Sequence, residues 1–320
     1  MWCHKRETNP LNPSESLIAD FLLYLFEEKK FCPATVTGYR TVLAQTFKFF
    51  PHLEFSIVDN DCISALLQNF RITCPAERFK TPTWDLALVL RALTKPPFEP
   101  IISISFELLT LKTVFLVTLA CAARASEIHG LSFKEFSRTR NWSKVYLAPS
   151  DYFLAKNQSS RAPDQRRHFC IPALTDFSTD SADRYLCPVR ALRIYLAKSQ
   201  PYRQNKKLLF IAIRKSYKKD ITKNTISGYI RQAILKAYRA AGEEDIRLSQ
   251  CKAHDVRALS ASLAFRYNIS LENILKNCSW KSDIVFTNFY LRDLAVQTPE
   301  LFKLPSFVCA QNKLRNKSKS

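Results

Sequence analysis

Residues 113–130 read TVFLVTLACAARASEIHG, and the first eleven of them form the most apolar run of the chain. The run lies between Lys112 and Arg124, and eleven residues are too few to cross a bilayer as a helix. Together with the residues before it, the run predicts a long buried helix over 106–123.

On both sides of this stretch, apolar residues recur at the spacing of helices that bury one face. Between residues 144 and 172 the pattern changes, and 145–148 and 167–171 are typical of short strands around a polar connection. The chain is therefore predicted to be mainly α with a small β-sheet. The other predicted helices cover residues 14–29, 34–50, 58–70, 83–93, 188–198, 224–241, 255–267, 271–277 and 282–291.

Positive charge is concentrated in the second part of the chain. The 320 residues include 48 Lys and Arg against 28 Asp and Glu, a net charge of +20. Residues 1–95 hold 11 basic and 10 acidic side chains, whereas residues 96–320 hold 37 and 18. This excess favours a polyanionic partner, nucleic acid before a membrane surface. A basic run over 198–223 is either a solvated loop or a contact to phosphates.

The segment 94–100, TKPPFEP, separates two predicted domains. Its three prolines cannot continue a helix and favour an extended connector. A length of 320 residues also favours two cores over one. We place a small helical domain over 10–95, a mixed domain over 96–310 and a basic tail over 311–320.

Composition excludes several classes of protein. The chain is 47% apolar and 12% aromatic, which is too much for a disordered protein. Its four glycines are too far apart to cradle a nucleotide phosphate, and its ten cysteines show neither a C-x-x-C pair nor zinc-ligand spacing. We therefore expect no cofactor, no metal, reduced and mostly buried thiols, and an intracellular protein without a membrane segment.

Four short segments of the second part stand out together. They are 123–131 (ARASEIHGL), 153–157 (FLAKN), 253–258 (AHDVRA), and 279–282 (SWKS) with 288–292 (NFYLR). In this order and at these distances they resemble the tyrosine recombinases, also called phage-integrase-like, and especially those of mobile elements. The resemblance covers nearly the whole chain, and it implies a helical core-binding domain over 10–95 and an α+β catalytic domain over 96–310.

The resemblance implies a role for one or two residues in each segment. These are a first catalytic arginine, Arg124, with its acidic support, Glu127; a lysine on the strand connection, Lys156; the H-x-x-R pair, His254 and Arg257; a His-or-Trp position, Trp280; and a nucleophile, Tyr290. Tyr290 lies ten residues after Trp280, one more than in many family members, but no other tyrosine follows Tyr267. His129 matches no family role, and we expect it to be structural.

These residue types suit one reaction. A phenol that attacks a phosphodiester develops negative charge on the non-bridging oxygens, and the guanidiniums of Arg124 and Arg257 can hold those oxygens in a fork geometry. A tyrosine ester conserves the energy of the broken bond, so rejoining needs neither ATP nor metal. Lys156 and His254 are the candidate proton donors and acceptors, and the sequence does not separate their roles.

Several of these assignments also have a structural alternative. Arg124 can bond the last carbonyls of the buried helix and pair with Glu127. Trp280 can be a core aromatic, and in either case we expect it to be buried. Tyr290 can simply pack in a C-terminal helix.

The resemblance implies a site-specific DNA recombinase or integrase that works through a 3′-phosphotyrosyl intermediate. Two alternatives stay open: a catalytically silent DNA-binding protein derived from such an enzyme, and a type IB topoisomerase. The implied partner is double-stranded DNA bound by a homotetramer, with residues 299–307 as a candidate contact to a neighbouring protomer. The implied location is on DNA inside the cell, and in the nucleus if the host is eukaryotic.

Overall fold

The computed structural model shows a mainly helical chain with one small antiparallel sheet, as the sequence predicts. The chain forms two compact units, Met1–Phe79 and Lys80–Ser320. The structure describes residues 2–50, 55–75, 84–155, 167–174, 181–203, 206–213, 220–243, 251–278, 280 and 282–292.

The first unit is built from helices whose apolar faces meet in one core. Its described helices are α1 (Trp2–Lys5), α2 (Glu15–Glu27), α3 (Pro33–Phe47) and α4 (Asp61–Thr73). The side chains of Ser14 and Asn60 accept backbone amides at the starts of α2 and α4, which satisfies donors that a helix leaves open. Leu22, Val36 and Leu67 lie in the shared core.

The second unit is organised around one buried helix, α6. Its described helices are α5 (Leu86–Leu93), α6 (Phe106–Cys121), α7 (Ala125–His129), α8 (Ser181–Tyr185), α9 (Pro188–Arg203), α10 (Lys223–Ala241), α11 (His254–Arg266), α12 (Leu271–Cys278) and α13 (Asp283–Phe289). Thirteen of the sixteen α6 residues are buried, because α9, α10 and α11 all pack against it. A helix that is apolar on every side requires this burial, so the prediction of a buried helix here is confirmed.

The division between the two units lies before the predicted linker at 94–100. Helix α5 packs against α10, and its Leu90 and Leu93 belong to the core of the second unit. Six of the eight α5 residues are buried, so the helix needs apolar neighbours over most of its surface. The functional roles predicted for 10–95 and 96–310 stay predictions, and the tail at 311–320 lies outside the described residues.

The sheet is small and antiparallel. Its strands, β1 (Ser137–Arg138), β2 (Lys144–Leu147) and β3 (Phe169–Pro172), pair in the order β1-β2-β3. Val145 pairs with Ile171 and Leu147 with Phe169, and these four side chains form the buried face. The strands predicted at 145–148 and 167–171 are confirmed to within two residues, whereas β1, only two residues long, carries no alternating pattern that a sequence could reveal.

Two further expectations concern membranes and thiols. In the described ranges, no helix is long and apolar enough to cross a membrane. The nine described cysteines are all free, but only four are buried. The expectation of mostly buried thiols is wrong for the first unit, where Cys32, Cys62 and Cys74 are exposed.

A buried ion cluster ties the proline-rich segment to α6. Lys112 Nζ donates to Glu99 Oε1 at 2.6 Å and to the carbonyl of Leu93 at 2.8 Å. Arg190 donates to both carboxylate oxygens of Glu99, at 2.7 and 3.1 Å. Burial lowers the pKa of Lys112 to about 8, so the lysine is still charged at neutral pH. The cluster therefore fixes α6 relative to residues 93–99.

We predict that Lys112→Met destabilises the second unit. The change leaves a buried carboxylate with one cation fewer and a buried carbonyl without its donor, a loss of about 3 kcal/mol in the free energy of unfolding. Urea unfolding at pH 7 measures it, with the exposed Lys134→Met as control, for which a change within about 0.5 kcal/mol is expected. Equal stabilities of the two variants would contradict a structural role for the cluster.

Candidate active site

Arg124 lies at the junction of two helices. Helix α6 ends at Cys121 and is capped by Ala122, whose backbone is left-handed (φ 45°, ψ 41°), and Arg124 is the N-cap of α7. The Arg124 amide donates to Glu127 Oε2 at 2.8 Å, so the Glu127 side chain closes the first turn of α7. The turn after α6 thus brings the Arg124 and Glu127 side chains together.

Glu127 is the centre of an arginine cluster. Its Oε1 accepts from Arg124 Nη1 at 3.0 Å, and its Oε2 accepts from Arg167 Nη1 at 2.9 Å and from Arg257 Nη1 at 3.2 Å. The Glu127 side chain is only 4% exposed. One buried carboxylate therefore holds three guanidiniums, which come from the start of α7, the residues before β3, and α11.

Arg257 is completely buried and joins three elements. Its Nη1 also donates to the carbonyl of Ala122 at 2.8 Å, and its Nη2 donates to the carbonyl of Cys278 at the end of α12. Arg167 Nη2 donates to the carbonyl of Cys121 at 2.9 Å. The carbonyls at the end of α6 are thus bonded by Arg257 and Arg167, rather than by Arg124 as the structural alternative proposed.

Tyr290 lies beside His254 and Trp280. Its Oη is 3.0 Å from His254 Nε2, and its ring centroid is 4.3 Å from that of Trp280. Arg257 Cζ lies 5.0 Å from the Trp280 ring and 5.7 Å from the Tyr290 ring, so the tyrosine adjoins the arginine cluster. Helix α13 ends at Phe289, one residue before Tyr290. The ten-residue spacing from Trp280 is therefore compatible with a tyrosine at the site.

The structure brings together six of the residues that the resemblance assigns: Arg124, Glu127, His254, Arg257, Trp280 and Tyr290. Trp280 is buried, as expected. Lys156 lies outside the described residues. His129 Nε2 lies 2.8 Å from the carbonyl of Ile221, which is not a member of the cluster, and this contact fits the expected structural role. The catalytic roles themselves stay predictions.

Arg167 is a member of the cluster that the sequence did not single out. It lies in a connection with several other basic residues, and no local pattern distinguishes it from them. Its position beside Glu127 follows from the pairing of β3 with β2 and from the packing of β3 against α6. The usable signal in the sequence is its place as the first residue of the strand predicted at 167–171.

The electrostatics of the cluster favour charged arginines and a charged carboxylate. Burial raises the pKa of Glu127, but the guanidiniums of Arg167 and Arg257 and the amide of Arg124 outweigh burial and hold this pKa below its usual range. Burial lowers the pKa of Arg257, yet arginine stays protonated at neutral pH. Burial also raises the pKa of the neighbouring Cys278 thiol, which is therefore neutral. The cluster holds three positive charges against one negative charge.

Comparison with known proteins identifies the fold. No protein-family model and no curated protein matches the chain. Among solved structures, the XerH site-specific recombinase bound to palindromic difH substrate is 16% identical, with a TM-score of 0.56 over 92% of this chain and 70% of that one. The Tn1549 transposon integrase with circular intermediate DNA is 14% identical, with a TM-score of 0.51 over 90% of this chain and 84% of that one. A lambda integrase dimer bound to a COC′ core site is 15% identical, with a TM-score of 0.50 over 93% of this chain and 71% of that one. The chain therefore has the tyrosine recombinase fold.

We predict that Glu127→Gln lowers stability in a pH-dependent way. Because the folded pKa of Glu127 lies below its unfolded value, its stabilising effect is present above about pH 4.5 and is lost as the pH falls through the folded pKa. Removal of a buried charge that pairs with three cations costs about 3 kcal/mol at pH 7.

The measurement is urea unfolding of wild type and Glu127→Gln between pH 7 and pH 3. The gap in the free energy of unfolding between wild type and Glu127→Gln should become smaller as the pH approaches 3. The exposed Glu272→Gln is the control, and we expect no comparable gap for it at any pH. A gap for Glu127→Gln that stays constant across this range would show that its charge is not what holds the cluster.

Proposed function

We propose that the chain cleaves and rejoins DNA strands through a covalent bond between Tyr290 and a 3′-phosphate. The observation that carries the proposal is the 3.0 Å contact between Tyr290 Oη and His254 Nε2, beside a cluster of one buried and two partly buried arginines. A phenol, a base within hydrogen-bond reach and fixed positive charge are the parts that attack on a phosphodiester requires. The tyrosine recombinase fold supports the same class of reaction.

In the proposed step, Tyr290 Oη forms a bond to phosphorus while the bond from phosphorus to the 5′-oxygen breaks. The phenolic proton passes to His254 Nε2, which the 3.0 Å contact supports, and the leaving 5′-oxygen takes a proton from a general acid. We assign that acid to Lys156. Attack by the 5′-hydroxyl of another strand then restores a phosphodiester and frees Tyr290, so no outside source of energy is consumed.

Two unpaired donors support a binding place for the phosphate beside these groups. Arg257 Nε and Trp280 Nε1 are buried and have no hydrogen-bond partner among the described residues. Buried N–H groups of this kind normally have an acceptor, and a non-bridging phosphate oxygen is one. The Arg124 side chain is 14% exposed, which leaves part of its guanidinium open to a ligand. We propose that Arg124, Arg257 and Trp280 hold the scissile phosphate.

Strand exchange also determines how many protomers the assembly needs. Recombination of two duplexes breaks four strands, and each chain offers one tyrosine at this site. We therefore propose four protomers on two DNA duplexes, held in part by the basic residues of 96–320. The lambda integrase structure, a dimer bound to a core site, supports assembly on DNA. The protein would act wherever its DNA is, including the nucleus if its host is eukaryotic.

We predict that Tyr290→Phe binds DNA like wild type but forms no covalent adduct. Phenylalanine keeps the ring that packs on Trp280 and removes only the oxygen that attacks phosphorus. Nicked duplexes that span the ends of its own gene, incubated in excess chelator, should give a denaturation-resistant adduct with wild type and with the control Tyr267→Phe. Chelator should not matter, because arginines supply the charge that a divalent ion would otherwise provide.

Peptide mapping should place the nucleotide on residues 288–292. An adduct formed by Tyr290→Phe, or a label on Tyr267, would contradict the assignment of the nucleophile. Tight DNA binding without an adduct from wild type would favour the catalytically silent DNA-binding protein. Relaxation of supercoils without recombinant product would favour the type IB topoisomerase.

We further predict that each active site is complete within one chain. Tyr290 contacts His254 and Trp280 of its own chain, so a mixture of Arg124→Ala and Tyr290→Phe should not regain cleavage. Arg124 is the better partner variant because it is partly exposed, whereas loss of the fully buried Arg257 would disturb folding. Wild type mixed with Tyr290→Phe is the control and should keep its adduct. Recovered cleavage in the variant mixture would show that the tyrosine acts in a neighbouring protomer.

A further inference from the structure

Arg167 occupies a place in the cluster that none of the proposed steps uses. It lies two residues before the start of β3, its side chain is 14% exposed, and its Cζ lies 4.5 Å from the ring of Phe169. Both of its terminal nitrogens are engaged, Nη1 with Glu127 Oε2 and Nη2 with the carbonyl of Cys121. Arg167 therefore acts on the site through Glu127.

The effect of Arg167 on the site depends on how the Glu127 carboxylate is shared among the three arginines. Oε2 of Glu127 accepts from the guanidiniums of Arg167 and Arg257 and from the Arg124 amide, while Oε1 accepts from the Arg124 guanidinium. If Arg167 were absent, the single negative charge would be divided between Arg124 and Arg257 alone. Each of these two guanidiniums would then be more fully neutralised and held more tightly by Glu127.

The charge count favours the transition state of phosphoryl transfer. Three guanidiniums against one carboxylate leave two positive charges in a region with little exposure to water. A phosphodiester carries one negative charge, and it carries two when a fifth oxygen has bonded to phosphorus. Two net positive charges therefore stabilise the doubly negative transition state more than the singly negative substrate. A site that binds the transition state more tightly than the substrate accelerates the reaction.

We propose that Arg167 is a positioning residue that occupies Glu127, so that Arg124 and Arg257 keep their charge for the doubly negative transition state. This inference rests on the proposed strand cleavage and adds a residue to it. The competing explanation is that Arg167 only fastens β3 to the end of α6. That explanation predicts a loss of folded protein, with no dependence on the charge of the phosphate.

The first experiment measures single-turnover cleavage of a nicked duplex by wild type, Arg167→Gln, Arg167→Lys and the exposed control Arg138→Gln. One substrate has an ordinary scissile phosphate, and the other has a neutral methylphosphonate, whose transition state carries one negative charge fewer. We expect Arg167→Gln to slow the ordinary substrate about 100-fold and the methylphosphonate less than about 10-fold. DNA affinity should change less than about 3-fold, since the other basic residues are intact.

Arg167→Lys keeps the positive charge but lacks the planar guanidinium. Its rate of cleavage of the ordinary substrate should therefore lie between those of Arg167→Gln and wild type. Arg138→Gln removes one of the many basic residues that can contact DNA, so it should slow both substrates equally and by less than about 3-fold. Equal slowing of both substrates by Arg167→Gln, or slowing that matches its loss of folded protein, would overturn the inference.

A second measurement does not require cleavage. Inorganic phosphate at constant ionic strength should raise the melting temperature of wild type and of Arg138→Gln, and it should raise that of Arg167→Gln clearly less. An absence of adduct from wild type refutes the proposed function, whereas the phosphate measurement still judges the role of Arg167. Equal phosphate stabilisation of wild type and Arg167→Gln would overturn that role.

Discussion

The second unit depends on one buried carboxylate that holds three cations together. Arg124, Arg167 and Arg257 belong to separate elements, and their like charges would repel one another in a region that water barely reaches. Glu127 makes their proximity possible, and in return the arginines keep it ionised. The position of β3, the end of α6 and the start of α11 are thus fixed by the same group that organises the site.

The same arrangement recurs around the earlier part of α6. There Glu99 gathers Lys112 and Arg190, and the lysine also bonds the carbonyl that ends α5. Helix α6 is buried on nearly all sides, so apolar burial alone does not single out one rotation of it among its neighbours. Two buried ion clusters specify one position for α6. That position determines where Arg124 lies after the turn that follows Ala122.

Long elements with a regular apolar pattern are predictable from the sequence, and contacts between distant segments are not. Helix α10 agrees with its prediction to within one residue, but α9 continues beyond the predicted end at 198 and includes Pro201. The five-residue helices α7 and α8 are too short to show a period. At the site, the resemblance supplied the residues with recognised spacing, whereas Arg167 depends on strand pairing and on a partner forty residues away.

If Tyr290 forms the proposed bond to DNA, its burial has a consequence for the lifetime of the broken strand. The residue is 8% exposed, and its ring contacts both His254 and Trp280. A phosphate ester formed on this oxygen would be shielded from hydrolysis, so the break would persist until a DNA hydroxyl entered the site. The packing that hides the tyrosine would thereby protect the genome from the permanent nick that premature release would leave.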